Sequence, residues 1–326
     1  MATASSTMGS AAPVQAGPRS FLRRLTDGDE IAHLVTLVFA FSILLITGLL
    51  VQRLWIDSSE ARHQFGWHFF FTQTWDPVAG DFGAAPFIYG TLVTSALALL
   101  IAVPLGLGAA IFLAELAPRK ISDSLAFLID LLAAVPSVIY GVLGIFIVVP
   151  LMRTTIAPFL KKTLGFLPLF AGPSYGVGML TAGIVLAVMV VPFIISVSRE
   201  VLLAVPGDQR EAALGLGATR WEATFKVVVP YARTGIFGSV FLALARALGE
   251  TMAVTMVIGN DPKIAASLFA PGYSIAAVIA NEFSEATGKL YVHSLIELGL
   301  VLFLITIILN GLARILIVLT AQKGQS

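Results

Sequence analysis

No cysteine occurs in this sequence, so disulfides, thiolate metal sites and a cysteine nucleophile are all excluded. Charge is scarce as well. Only 12% of the 326 residues are Asp, Glu, Lys or Arg, against roughly 25% in an ordinary soluble domain. Histidine occurs at positions 33, 63, 68 and 293 alone, and no two are four residues apart, so no helical metal pair is present. A Gly-x-x-x-x-Gly-Lys-[Ser/Thr] phosphate loop is missing too, so the chain does not hydrolyse ATP by that route. A net charge of +1 says nothing about partners.

What fills the chain instead is apolar sequence, 57% of all residues. Runs of about 20 apolar residues are long enough to cross a bilayer as helices. Six such runs are predicted, at about 31–54, 87–116, 124–152, 177–199, 232–258 and 292–318. The fold class expected is therefore an all-α polytopic membrane protein with six transmembrane helices. Residues 1–20 are small and polar, so a disordered N-terminal tail is expected over 1–25, ahead of a transmembrane domain over 26–326. The first run is too long and too late for a cleaved signal segment, and reads as an uncleaved span.

An even number of spans puts both termini on one side, and Lys and Arg decide which. Twelve cations fall on the side of the termini, namely Arg19, Arg23, Arg24, Arg119, Lys120, Arg199, Arg210, Arg220, Lys226, Arg233, Arg314 and Lys323. Seven fall on the other, and Arg246 lies inside a span. Both termini and the 200–231 loop are thereby expected in the cytoplasm.

Small residues recur every four positions along the second run: Gly90, Thr94, Ala98, Ala102, Gly106, Ala110 and Ala114. Such residues let helix backbones approach closely in lipid. A period of four drifts against 3.6 residues per turn, so the stripe should wrap across more than one neighbour. On the opposite side of the membrane, Trp67, Phe69, Phe70, Phe71 and Trp75 suit a membrane–water interface. Residues 274–286 are too short to span and are expected to form a helix folded back between the fifth and sixth spans. Asp130, Glu115 and Glu297 lie toward span ends, within expected reach of water, and read as structural.

The polar loop carries more information. Pro206 can open a helix, and Asp208 and Glu211 sit early, where the helix dipole favours anions. Gly215 and Gly217 can end it. Thr219-Arg220-Trp221-Glu222 is a capping box that starts a second helix, expected to run to about Val229 with Pro230 marking its end. The shape is two short helices joined at a glycine corner, suited to a groove on a partner.

The fifth run contains Arg246 near its middle, which costs about 2.5–3.5 kcal/mol on insertion scales. Glu250, four residues on, falls on the same face of a continuous helix, within reach of an ion pair. Two readings stand: a neutralised pair that joins helices, or a substrate-pathway site in which the guanidinium fork meets an oxyanion. In the second reading Glu250 holds Arg246 until a passing anion displaces it.

Glu211, Ala212, Ala213, Gly217, Val227, Val229 and Pro230 match the spacing of the EAA loop of ABC-importer permeases, with Val standing for Ile and for Leu. Arg246 through Val254, Trp75 through Val78, Pro86 through Thr91 and Ala134 through Gly141 further resemble the PstC-type permeases of phosphate-specific importers, and the likeness covers about residues 25–320. The resemblance implies a type I importer fold, with a core permease domain at about 87–318 and a coupling loop at 200–231. It implies no enzyme activity and no cofactor on this chain, ATP and Mg being bound by a partner ATPase. The partners implied are a PstA-type second permease, a PstB-type ATPase dimer, a PstS-type extracytoplasmic phosphate-binding protein and membrane lipid, in a bacterial inner membrane. Arg246 and Glu250 are implied in phosphate passage, and Glu211, Ala212, Ala213, Gly217 and Pro230 in ATPase coupling. The Arg-Ala-Leu-Gly-Glu core also resembles sulfate and molybdate permeases, so another oxyanion remains an alternative. An ion-coupled secondary transporter is a further one, although no internal repeat is visible.

Overall fold

The structure is a computed structural model that describes residues 29–322, with side chains over 31–315. The expected tail over 1–25 lies outside the described residues. Two compact units divide the chain, residues 1–53 and 54–326. Helix α1 (Asp29–Asp57) supplies the described part of the first. It is apolar on every face through most of its length, as expected of a helix surrounded by lipid.

The second unit begins with α2 (Ser59–Phe65) and a short hairpin pairing Trp75 with Phe82. Helix α3 (Ala85–Leu116) follows, then α4 (Arg119–Ala133), α5 (Ser137–Leu164) and α6 (Met179–Leu203). Two loop helices come next: α7 (Gly207–Gly215), and the first turns of α8 (Arg220–Leu248). Short helices α9 (Met252–Ile258) and α10 (Ile275–Glu282) lead to α11 (Lys289–Gln322). Among the described residues six helices are long and apolar enough to cross a membrane: α1, α3, α5, α6, α8 and α11. The fold-back helix expected over 274–286 is α10.

Two runs differ from expectation. The third, read as one span over 124–152, is broken: α4 ends at Ala133 and α5 starts at Ser137. Pro136 removes a backbone donor and pushes the residue before it out of the helical region. The fifth run is broken too, at Gly249–Thr251, between α8 and α9. Conversely, the loop's second helix does not stop at Pro230 but continues into the membrane as α8.

How a helix passes Pro230 is visible in its hydrogen bonds. A π turn covers Thr224–Val228, and the Val229 N–H reaches five residues back to the Thr224 carbonyl. The same device recurs before Pro118, Pro150 and Pro158, where Ala117, Val149 and Ala157 bond to Phe112, Gly144 and Met152. One wider turn makes room for the ring and for the hydrogen bond it cannot donate.

Packing centres on α3 and α6. Of the small-residue stripe, Gly90 through Ala110 are buried and Ala114 is half-buried. The stripe wraps as its period demands. A side chain at Gly90 would overlap the Tyr273 carbonyl, one at Gly106 would lie 2.8 Å from Ile194, and Ala110 packs with Leu202 and Val228. The chain from α4 into α5 runs antiparallel beside α6. Ser196 donates to Asp130 at 2.7 Å, Gly144 abuts Val185, and Met152 clusters with Leu180.

At the end carrying α10, the aromatics expected at an interface divide. Trp67 and Phe71 are exposed, whereas Phe69, Phe82 and Phe87 are buried with Tyr273 in a common core. Trp75 stands edge-on to Phe82 and Phe87, and both its indole N–H and the Tyr291 hydroxyl donate to the Glu282 carboxylate, at 2.8 and 2.7 Å. Burial pushes the Tyr273 hydroxyl up to about 12, so it stays protonated while accepting from Asn281.

Candidate functional site

Two regions hold the candidate residues. The first is the α7–α8 corner. Glu211 and Ala212 are exposed on α7 and Ala213 is half-buried. Helix α7 ends in a Schellman motif: the Ala218 N–H bonds to the Ala213 carbonyl at 3.1 Å and the Gly217 N–H to the Leu214 carbonyl at 3.0 Å. Gly217 closes it with φ of 88°, in the left-handed region. The expected capping box is formed, the Thr219 hydroxyl accepting from the Glu222 N–H at 3.2 Å and the Glu222 carboxylate from the Thr219 N–H at 3.0 Å. Leu216, 90% exposed, and the Trp221–Phe225 ring pair give this corner an apolar outer surface. Pro230 lies within the continuous α8, two residues after the π segment.

The second region is the pair of helix breaks. They lie side by side, because α5 packs closely on α9: a side chain at Gly141 would lie 3.2 Å from the Ala253 Cα and 3.4 Å from the Met252 carbonyl. The Tyr140 hydroxyl reaches back across one break to the Leu132 carbonyl at 2.7 Å. Arg246 occupies the last turn of α8, exposed at the helix surface, with its guanidinium 5.7 Å from the Phe193 ring centre and within electrostatic reach of Tyr140.

The expected Arg246–Glu250 ion pair is not formed among the described residues. The reason is the break. Four-residue spacing aligns two side chains only while the helix continues, and α8 stops at Leu248. Glu250 turns the other way and accepts the Ala253 N–H at 3.2 Å, capping the start of α9. In this structure Glu250 therefore does not hold Arg246.

Sequence reasoning missed the best-formed charged contact. Arg210 of α7 donates from Nε and Nη2 to the Glu115 carboxylate, the shortest distance being 2.7 Å. Its guanidinium also donates to the Leu202 and Val205 carbonyls at the end of α6. These partners are 95 positions apart in sequence. The only signal was a charged residue close to each helix end. Glu297 also departs from expectation. It is buried, 3% exposed, rather than reached by water. The neighbouring His293 approaches Glu60 of α2 at 3.6 Å, which shows that α2 packs over this end of α11.

Comparison with known proteins adds a family context. Residues 102–321 match the family described as binding-protein-dependent transport system inner membrane component. The chain is 47% identical over 308 residues to "Phosphate transport system permease protein PstC" of Mesorhizobium japonicum, with 93% of this chain and 94% of the relative covered. A protein of the same name from Pasteurella multocida is 48% identical over 88% of this chain and 91% of the relative. The fold resembles a chain of a bacterial alginate ABC transporter, with TM-score 0.57 and 15% identity, covering 91% of this chain and 96% of that one. It also resembles a chain of the MetNI methionine ABC transporter in an inward-facing form, with TM-score 0.52 and 16% identity, over 72% and 96% of the two chains.

Proposed function

Because this chain belongs to the binding-protein-dependent transport system inner membrane components, and within them to the PstC phosphate permeases, its function is that of a phosphate transport permease subunit, and we propose that Arg246 meets the phosphate in the pathway. Arg246 carries the reading. It lies exposed on the surface of a spanning helix, beside two helix breaks, with no carboxylate paired to it among the described residues. An arginine so placed cannot face lipid without a cost of about 2.5–3.5 kcal/mol or more. An aqueous pathway shared with a second, related permease removes that cost, and its planar fork suits phosphate oxygens. Glu250 acts alongside it by shaping the break rather than by neutralising the charge.

Energy reaches this site from an ATPase dimer that binds ATP and Mg on separate chains. The α7–α8 corner is its docking element, with Glu211, Ala212 and Ala213 on the exposed helix and Gly217 and Pro230 setting the path of the chain. That corner lies in the cytoplasm, with both termini, and a phosphate-binding protein delivers cargo at the opposite face. The chain is a multi-pass protein of a bacterial inner membrane.

The test is reconstitution of the permease pair, ATPase and binding protein in liposomes, with uptake of labelled phosphate measured against ATP hydrolysis. Uptake that requires ATP, and that falls in Arg246→Lys while the ATPase still co-purifies, supports the reading. Wild-type uptake in Arg246→Lys refutes a role for the fork. Inhibition by excess sulfate or molybdate would reassign the cargo to another oxyanion.

A further inference from the structure

Helix α7 poses a mechanical problem. It has nine residues and none of them is buried. So short a helix is marginal by itself, and without buried side chains it gains little from packing. Yet a docking element must hand its displacement to the spans without bending away. The residue that ties it down is Arg210.

We propose that Arg210 and Glu115 form a strut that makes α7 move as one body with the ends of α3 and α6, which gives the coupling loop a second route into the membrane besides α8. The geometry is that of a made joint. The Arg210 side chain donates to the Glu115 carboxylate from two nitrogens and to two carbonyls at the end of α6. The Glu115 side chain is only 8% exposed and that of Arg210 24%, so water competes weakly and the charge-assisted bonds hold their geometry. The cation also rests on the negative end of the α6 dipole. Glu115 itself lies in the π turn of α3, where the wider turn before Pro118 sets the course of its last residues.

What the strut grips is stiff. Helices α3 and α6 interlock, with Gly106 against Ile194 and Gly183 against Leu97, and their shared core includes Ala98, Ala102, Leu186 and Val190. Phe193 on α6 is the ring next to the Arg246 guanidinium. A push on α7 thus reaches one wall of the proposed pathway through Arg210 and α6. The same push reaches Arg246 itself through α8, across the corner at Gly217. Arg210 and Glu115 are positioning residues that touch neither phosphate nor ATP. This inference rests on the importer reading above.

The experiment uses the complete importer in liposomes and reads phosphate transported per ATP hydrolysed. In Arg210→Gln and Glu115→Gln the ratio is expected to fall about tenfold, within the usual range of coupling energies, with hydrolysis maintained. Because the chain has no cysteine, an Arg210→Cys, Glu115→Cys double variant can be bridged selectively with a bis-maleimide linker. The bridge should restore the ratio lost in the unbridged double variant. An unchanged ratio in the glutamine variants overturns the proposal, as does a bridge that restores nothing. If the ATPase no longer co-purifies with the glutamine variants, the pair is an assembly contact and the proposal also falls. Failure of the wild-type complex to import phosphate is a separate result, seen before any variant is compared, and it would sink the importer reading instead.

Discussion

Arg246 and Arg210 invite comparison, since each has a glutamate that it might neutralise. Glu250 is four residues from Arg246, yet the two do not pair, because the helix ends between them. Glu115 is 95 positions from Arg210, yet its carboxylate takes bonds from two guanidinium nitrogens. Sequence proximity therefore misled twice, and under the proposed function the difference has a use. The satisfied arginine belongs to a joint that must not slip. The arginine left without a carboxylate is the one proposed to keep its donors for a passing anion.

Substitutions can break that contrast, and the largest effect is expected at the pathway. Arg246→Gln should lower phosphate uptake about a hundredfold, as when a preorganised donor to an oxyanion is lost, with assembly unchanged. Uptake near wild type would erase the distinction between the two arginines. Next comes Glu115→Ala, in which amide hydrogen exchange over residues 207–215 should quicken by about tenfold or more as α7 loses its tether. Unaltered exchange would mean that something other than Arg210 holds the helix.

Gly217→Ala should destabilise the corner by about 1–2 kcal/mol, the cost of a left-handed L-residue. A Cβ there meets nothing within 4 Å, so the penalty is backbone strain alone. Thermal unfolding of the purified complex would measure it. Thr219→Ala removes half of the capping box and should cost about 1 kcal/mol by the same assay. The smallest change is expected in Glu250→Gln, where the amide oxygen can still accept from Ala253. Uptake within about fivefold of wild type fits a capping role, whereas a loss as deep as that of Arg246→Gln would show that the carboxylate charge itself acts in the pathway.

Several elements were legible in the sequence alone. The capping box at Thr219 and Glu222 and the turn at Gly217 were readable because each is a local solution to unpaired backbone groups at helix ends. The stripe from Gly90 to Ala110 was readable as a packing face, and its drift foretold that it would serve several neighbours. Prolines were harder. Pro136 breaks the chain between α4 and α5, while Pro230 lies inside a helix. What separates them is the π turn ahead of Pro230, which needs room that depends on the packing around it. Glu297 was misplaced for a similar reason: its depth along α11 was roughly right, but α2 packs over this end of the helix, and no periodicity in the sequence announces that.

By itself the sequence determined that the chain crosses a membrane, that its loop folds as two helices around a glycine corner, and that one arginine lies within a span. Those properties follow from hydropathy, from capping and from backbone conformation, each decided within a few residues. Tertiary structure alone decided that α8 ends before Glu250, that the two breaks meet beside Arg246, and that Arg210 finds Glu115. Those outcomes depend on which surfaces the interlocked α3 and α6 present to the rest of the chain. A buried or half-buried charge takes whatever partner the packing brings within about 3 Å, and packing is a property of the whole fold.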